Sequence, residues 1–225
     1  MPSFNIVKKT PVANSYRVER ILSDFDMPKE KGEIHIEGNI EIPENWNVGL
    51  IYGASGTGKT TIIKDLFPDA IIEEFSWSEN SFIDDFDKNI PFEQISKTLY
   101  AVGLGSVPTW VRPFKVLSNG EKMRVTLARG LLERDFFVFD EFTSVVDRQV
   151  AKVCSLAVSR YCKKHNKKFL AVSCHKDVLE WLEPDWAFST DEMKQNFCFA
   201  HTPKQNLKLE SVGGQNGADL AVIII

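Results

Sequence analysis

The sequence predicts an α/β protein with a mostly parallel sheet flanked by helices, and three observations point to it. WNVGLIYG (46–53), FFVFD (136–140) and KKFLAVSCH (167–175) hold continuous apolar runs of strand length, as strands covered on both faces do. Segments of helical periodicity separate these runs, so strands and helices alternate along the chain. The first run also leads straight into the glycine-rich turn GASGTG (53–58) and then a helix-forming segment, a strand–turn–helix unit.

Each element follows in order. EIHIEGNIEI (33–42) alternates apolar and polar residues about a Gly-Asn pair, the pattern of two half-buried antiparallel strands joined by a turn, so a small N-terminal antiparallel layer is expected. TTIIKDLF (60–67) supplies the helix after the glycine-rich turn, and DAIIEEF (69–75) a short strand. From about 76 to 116 the chain is aromatic and acidic, with a helix around FEQISKTLYAVG (92–103) and Pro108 and Pro113 as punctuation: a reduced helical or irregular insert. In KVLSNGEKMRV (115–125), Ser118 and Asn119 are good N-cap types and Glu121 favours the positive end of a helix running to about Glu133. VVDRQVAKVCSLAVSRYCKK (145–164) reads as a helix, and KDVLEWLE (176–183) as a short one ended by Pro184.

With 225 residues, 43% hydrophobic and 26% charged, the chain can bury a sizeable core, expected as one domain over 1–190 with a C-terminal extension over 191–225. A net charge of −4 gives no overall attraction to nucleic acid or anionic membrane; the most basic run, Lys163 to Lys168, reads as a solvated helix end. The four cysteines (Cys154, Cys162, Cys174, Cys198) form no CxxC pair and no zinc-ligand spacing, as suits reduced thiols in a cytoplasmic protein. No apolar run has the roughly 18 to 20 residues that span a bilayer, and MPSFNIVKKT lacks the apolar core of a signal peptide. The terminal AVIII, after GGQNGAD, reads equally as an edge strand, a docking tail or a sticky end.

Chemistry concentrates first in GASGTGKT, a full match to G-x-x-x-x-G-K-[ST] in the strand-to-helix context that the motif requires. Its residues Gly53, Ala54, Ser55, Gly56, Thr57, Gly58, Lys59 and Thr60, followed by Thr61, form a loop whose N–H groups face a phosphate at a helix N-terminus. Lys59 reaches the terminal phosphates and the Thr60 hydroxyl takes Mg²⁺, so a nucleoside triphosphate site is expected. FFVFDE then delivers Asp140 and Glu141 at the carboxyl end of a strand in the same sheet, where Asp140 can hold Mg²⁺ and Glu141 can deprotonate a water.

A phosphate loop, LSNGE, a helix with arginines and an apolar strand ending in Asp-Glu, in that order, resemble the ATP-binding cassette (ABC) superfamily of ATPases. The likeness covers roughly residues 14 to 188 and implies a P-loop NTPase fold of ABC type. LSNGE resembles that family's LSGGQ or LSGGE, with Asn119 in place of a glycine, and implies that Ser118 and Gly120 cap the γ-phosphate bound by a second chain. Ser144-Val145-Val146-Asp147 resembles the D-loop, His175 the switch histidine that contacts the γ-phosphate, and Phe25 the aromatic that stacks on adenine, with Tyr16 as an alternative. The family's glutamine after the next strand has no counterpart between Thr60 and Glu93; Ser78, Glu79 or a water would stand in.

The run from WVRPFKV to SCHKDVLEWLEPDW is similar to compact ABC ATPases of bacteriophages and mobile elements. The resemblance implies ATP and Mg²⁺ as ligands, Glu141 as general base with His175 and Lys59 assisting, and a homodimer sandwiching two ATP, with an unknown protein partner. A transporter subunit, an SMC-like or repair-associated head on DNA, and an ATP-regulated binding module without turnover remain as alternatives.

Overall fold

The computed structural model of the protein describes residues 3–10, 13–27, 32–71 and 75–197. The chain opens with strand β1 (Ser3–Thr10), helix α1 (Tyr16–Asp24) and strand β2 (Gly32–Asn39). Strand β3 (Val48–Tyr52) and helix α2 (Lys59–Leu66) flank the glycine-rich turn, and α3 (Phe92–Ala101) and α4 (Val107–Trp110) lie in the insert. Then come α5 (Asn119–Glu133), β4 (Phe136–Phe139), α6 (Arg148–His165), β5 (Lys168–Ser173) and α7 (Val178–Leu182), and last β6 (Trp186–Ser189) and β7 (Lys194–Phe197). The central sheet has the order β4-β5-β3-β6-β7, parallel except for β7.

Successive side chains of a strand point to opposite faces, and here they divide two cores. Val48, Leu50, Phe169 and Ala171 pack with α3, α5 and α6 through Leu99, Val125, Leu127 and Val158. Ile51, Leu170 and Val172 pack on the other face with Ile62 and Ile63 of α2 and Phe4 of β1. Parallel strands buried on both sides explain why the three runs read as continuous rather than alternating. Gly49 belongs to the same packing, since a Cβ there would sit 2.6 Å from the buried Trp186 ring.

The N-terminal layer differs from the expected hairpin. Gly38 and Asn39 lie within β2, which pairs antiparallel with the distant β1 in the register Ile6↔Ile36. Gly38 leaves room for the Phe4 ring, 2.7 Å from where its Cβ would be, while Ile40 is fully buried instead of continuing a second strand. Of DAIIEEF, residues 72–74 lie outside the described residues; Ile71 forms a parallel bridge with Val138, and the Val138 N–H donates to the Ala70 carbonyl at 2.7 Å. WAFS and KQNF were not anticipated as strands; they extend the sheet to Phe197, and the boundary expected at residue 190 falls in the turn between them. Cys198 and the terminal AVIII lie outside the described residues. No helix among the described residues is long and apolar enough to cross a membrane.

Candidate functional site

Strands β3, β4, β5 and β6 all end at one edge of the sheet, where parallel sheets place ligands. The turn after β3 wraps into α2 through left-handed glycines, Gly56 (φ 84°) and Gly58 (φ 90°), conformations that cost a side-chain-bearing residue strain. Ser55, Gly56, Gly58, Lys59, Thr60 and Thr61 border a cleft of about 300 Å³. Lys59 Nζ donates to the Gly53 and Ala54 carbonyls at 2.8 and 2.6 Å, which holds the cation across the loop.

Asp140, Glu141 and Ser144 form the facing wall. The Thr60 hydroxyl donates to Asp140 Oδ2 at 2.7 Å, so the serine/threonine position of the motif and the first acid after β4 meet. Asp140 Oδ1 accepts the Glu141 N–H at 2.9 Å, and Ser144 donates to the Glu141 carbonyl through its N–H at 3.0 Å and through its hydroxyl. Glu141 has φ 51° and Thr143 φ 70°, left-handed values for non-glycine residues, each storing about 1–3 kcal/mol. The turn is thus held in a strained shape that presents Glu141 at the cleft.

The end of β5 brings Val172, Ser173 and Cys174 to the same cleft. His175 is half-buried and does not border it; its N–H donates to Ser173 Oγ at 3.1 Å. Burial pushes the Cys154 thiol up to about 11 and the Cys162 thiol up to about 12, whereas Cys174 is exposed.

Ser118 and Gly120 lie apart from this cleft. Ser118 caps α5 in a reciprocal box: its hydroxyl accepts the Glu121 N–H at 3.3 Å while Glu121 Oε2 accepts the Ser118 N–H at 2.8 Å. The Ser118 backbone N–H and then its hydroxyl hold the Glu121 carboxyl below the usual range. Asn119 is the first helical residue, and a Cβ on Gly120 would lie 3.2 Å from Val146, so the start of α5 packs against the turn that precedes Asp147. Asp147 caps α6, accepting the Gln149 and Val150 N–H groups at 2.9 and 3.0 Å. Phe25 ends α1, a helix with no buried residue, and is 73% exposed, away from the cleft lining.

Two residues that bear on the loop were missed. The Thr190 hydroxyl lies 2.6 Å from that of Thr57, and a Cβ on Gly53 would meet it at 2.2 Å. Asp191 Oδ1 accepts the Ala54 N–H at 2.7 Å. The β6–β7 turn therefore buttresses the glycine-rich loop from behind. No local pattern marks this, because the partners are more than a hundred residues apart and the strands are short.

Of the stand-ins for the missing glutamine, Ser78 donates its N–H to Asp85 and Glu79 pairs with Lys115; neither borders the cleft. Instead residues 75–77 are fastened to α5. Arg129 shares its Nε–H between both carboxylate oxygens of Glu133 at 3.0 Å, donates from Nη1 to the Ser76 carbonyl at 2.8 Å and lies under Phe75 and Trp77, and Trp77 stacks on Phe114 at 4.1 Å.

Among solved structures, the dimeric form of MJ0796, a bacterial ABC transporter cassette, aligns over 87% of this chain and 100% of its own, with a TM-score of 0.58 at 14% identity. The chain has the fold of an ABC ATPase cassette. The same MJ0796 cassette in a post-hydrolysis state with ADP and Pi aligns with a TM-score of 0.57, over 87% of this chain and 100% of its own, also at 14% identity. By sequence, the chain is 33% identical over 126 residues to the inner membrane ABC transporter ATP-binding protein YddA of Escherichia coli (strain K12), a match spanning 45% of this chain and 22% of that protein. No family model matches.

Proposed function

We propose that this chain binds and hydrolyses ATP, and that two copies close around two nucleotides. The observation that carries the reading is the meeting of Thr60 with Asp140 beside Lys59, with Glu141 next in the chain on the same cleft. The loop N–H groups and Lys59 hold the phosphates, and the charge that develops on the γ-phosphate in the transition state meets fixed donors. Glu141 takes the proton of the attacking water as its oxygen bonds to the γ-phosphorus and the bond to the β-bridging oxygen breaks in line. The resemblance gives His175, which follows Cys174 just outside the cleft lining, the role of positioning that phosphate.

Mg²⁺ fits the residues present: a hydroxyl and a carboxylate oxygen, both hard ligands, converge at the cleft wall, and substrate phosphates and water complete such a site. Thr60 and Asp140 would hold the ion, which neutralises phosphate charge when bound. Ser118 and Gly120 sit outside their own chain's cleft, which supports a second copy supplying them, and the dimeric MJ0796 cassette supports the same arrangement. The likeness to compact ATPases of phages and mobile elements favours a cassette that works on a protein partner as a nucleotide-switched dimer. The identity to YddA, described as an ABC transporter ATP-binding protein, favours a second reading, the ATP-binding part of a transporter.

Phosphate release from ATP tests the main reading. The wild-type chain should turn over, and Lys59→Ala should reduce the rate by about 10²–10³. A wild type that binds ATP but releases no phosphate would leave an ATP-regulated binding module instead. Alkylation offers an independent check, since Cys174 borders the cleft while Cys154 and Cys162 are buried with raised pKa values. Peptide mapping should find Cys174 labelled before either buried thiol, and more slowly with ATP; equal rates with and without ATP would put the nucleotide elsewhere.

A further inference from the structure

The turn after β4 carries Glu141 and ends at Asp147; the turn after the neighbouring β5 carries His175 and ends at Asp177. One ion pair joins their far ends. Arg148, the first residue of α6, donates through Nε to Asp177 Oδ2 at 2.9 Å and through Nη2 to Oδ1, a forked pair of fixed orientation. Its guanidinium carbon also lies 4.9 Å from the centre of the Trp181 ring on α7, which pins the plane from a second side. Asp177 stands immediately before α7 yet makes no capping bond with its side chain: both carboxylate oxygens go to Arg148. Asp147, next to Arg148, has its own carboxylate committed to α6. Nearer the sheet, the Phe142 N–H donates to the Val172 carbonyl at 2.7 Å, so the two turns are tied at their base as well.

We infer that Arg148 and Asp177 are a positioning pair that locks the His175 turn to the Glu141–Asp147 turn, so that Glu141 at the cleft and His175 beside it are held in one register. Neither residue borders the cleft, so the pair acts through the turns it holds and not on the substrate. This rests on the proposed hydrolysis for its consequence, but the coupling itself is a property of the fold.

Two readouts on the full chain separate the coupling from the activity. Hydrogen exchange, read on residues 142–147 and 174–177, should rise in both turns together in Arg148→Met and in Asp177→Asn. Steady-state kinetics should show kcat falling about tenfold to a hundredfold with KM for ATP within twofold, since small misplacements of reacting groups act on turnover. The charge swap Arg148→Asp with Asp177→Arg should restore both, which a general loss of stability would not allow. Exchange unchanged, or raised in one turn alone, overturns the inference, as does a fall in kcat that the swap leaves in place. A wild type without hydrolysis would defeat the proposed function separately, while the exchange measurement still decides the coupling.

Discussion

Glu141→Gln should lower ATP turnover by about 10²–10⁴ while nucleotide binding persists. Glutamine keeps the size of the side chain and its place at the cleft, but it cannot accept the proton of the attacking water. The backbone of this residue is held independently of its side chain, by Asp140 on one side and Ser144 on the other, so the substitution leaves the strained turn in place. The MgATP-bound variant should then elute at twice its monomer mass in size-exclusion chromatography, because a closed pair that cannot hydrolyse cannot reopen. Turnover within a fewfold of wild type would remove Glu141 from the role of base. A monomer with ATP bound would remove the sandwich.

Arg129→Met should destabilise the chain by about 3–5 kcal/mol, the cost of leaving one partner of a largely buried ion pair uncompensated. Arg129 and Glu133 are 13% and 15% exposed, and Glu133 also accepts the Asp87 N–H at 3.0 Å, so the carboxylate cannot turn away to solvent without breaking a further bond. The same change strips the cation from between Phe75 and Trp77 and frees the Ser76 carbonyl. Lys97→Met provides the contrast on α3: that pair with Glu93 is 75% and 77% exposed, so water screens it and its loss changes stability little. Thermal melts of both variants decide the matter, with a loss of about 10 °C expected for Arg129→Met and almost none for Lys97→Met. Equal melting points would mean that the aromatic and guanidinium contacts around α5 contribute little.

Where the resemblance leads one to expect a glutamine reaching toward the nucleotide, this chain has a segment fastened by Arg129 and Trp77 to the helix that starts at Ser118. The insert and the α5 helix are thereby joined through the rings packed on Arg129, its bond to the Ser76 carbonyl and the Asp87 N–H on Glu133, instead of a single polar side chain at the cleft.

The glycine-rich loop, the acids after β4 and the start of α5 were legible in the sequence because each depends on neighbours within a few residues. Gly56 and Gly58 are needed where the backbone turns left-handed, Ser118 and Glu121 satisfy one another across one helical turn, and FFVF must be followed by whatever the sheet edge presents. Contacts without local signature were hidden: β1 finds β2 instead of a hairpin partner, β6 and β7 are four residues each, and Thr190 and Asp191 reach the loop only once the sheet has closed. Arg148 and Asp177 read as ordinary surface charges until α6 and α7 pack side by side. Local backbone requirements and hydrogen-bond spacing are written into short stretches of sequence, so the sequence by itself determined the loop, the acids and the α5 cap. Long-range pairs are selected by shape and charge across elements that only the folded sheet brings together, so only the tertiary structure decided what braces the loop and ties the Glu141 and His175 turns.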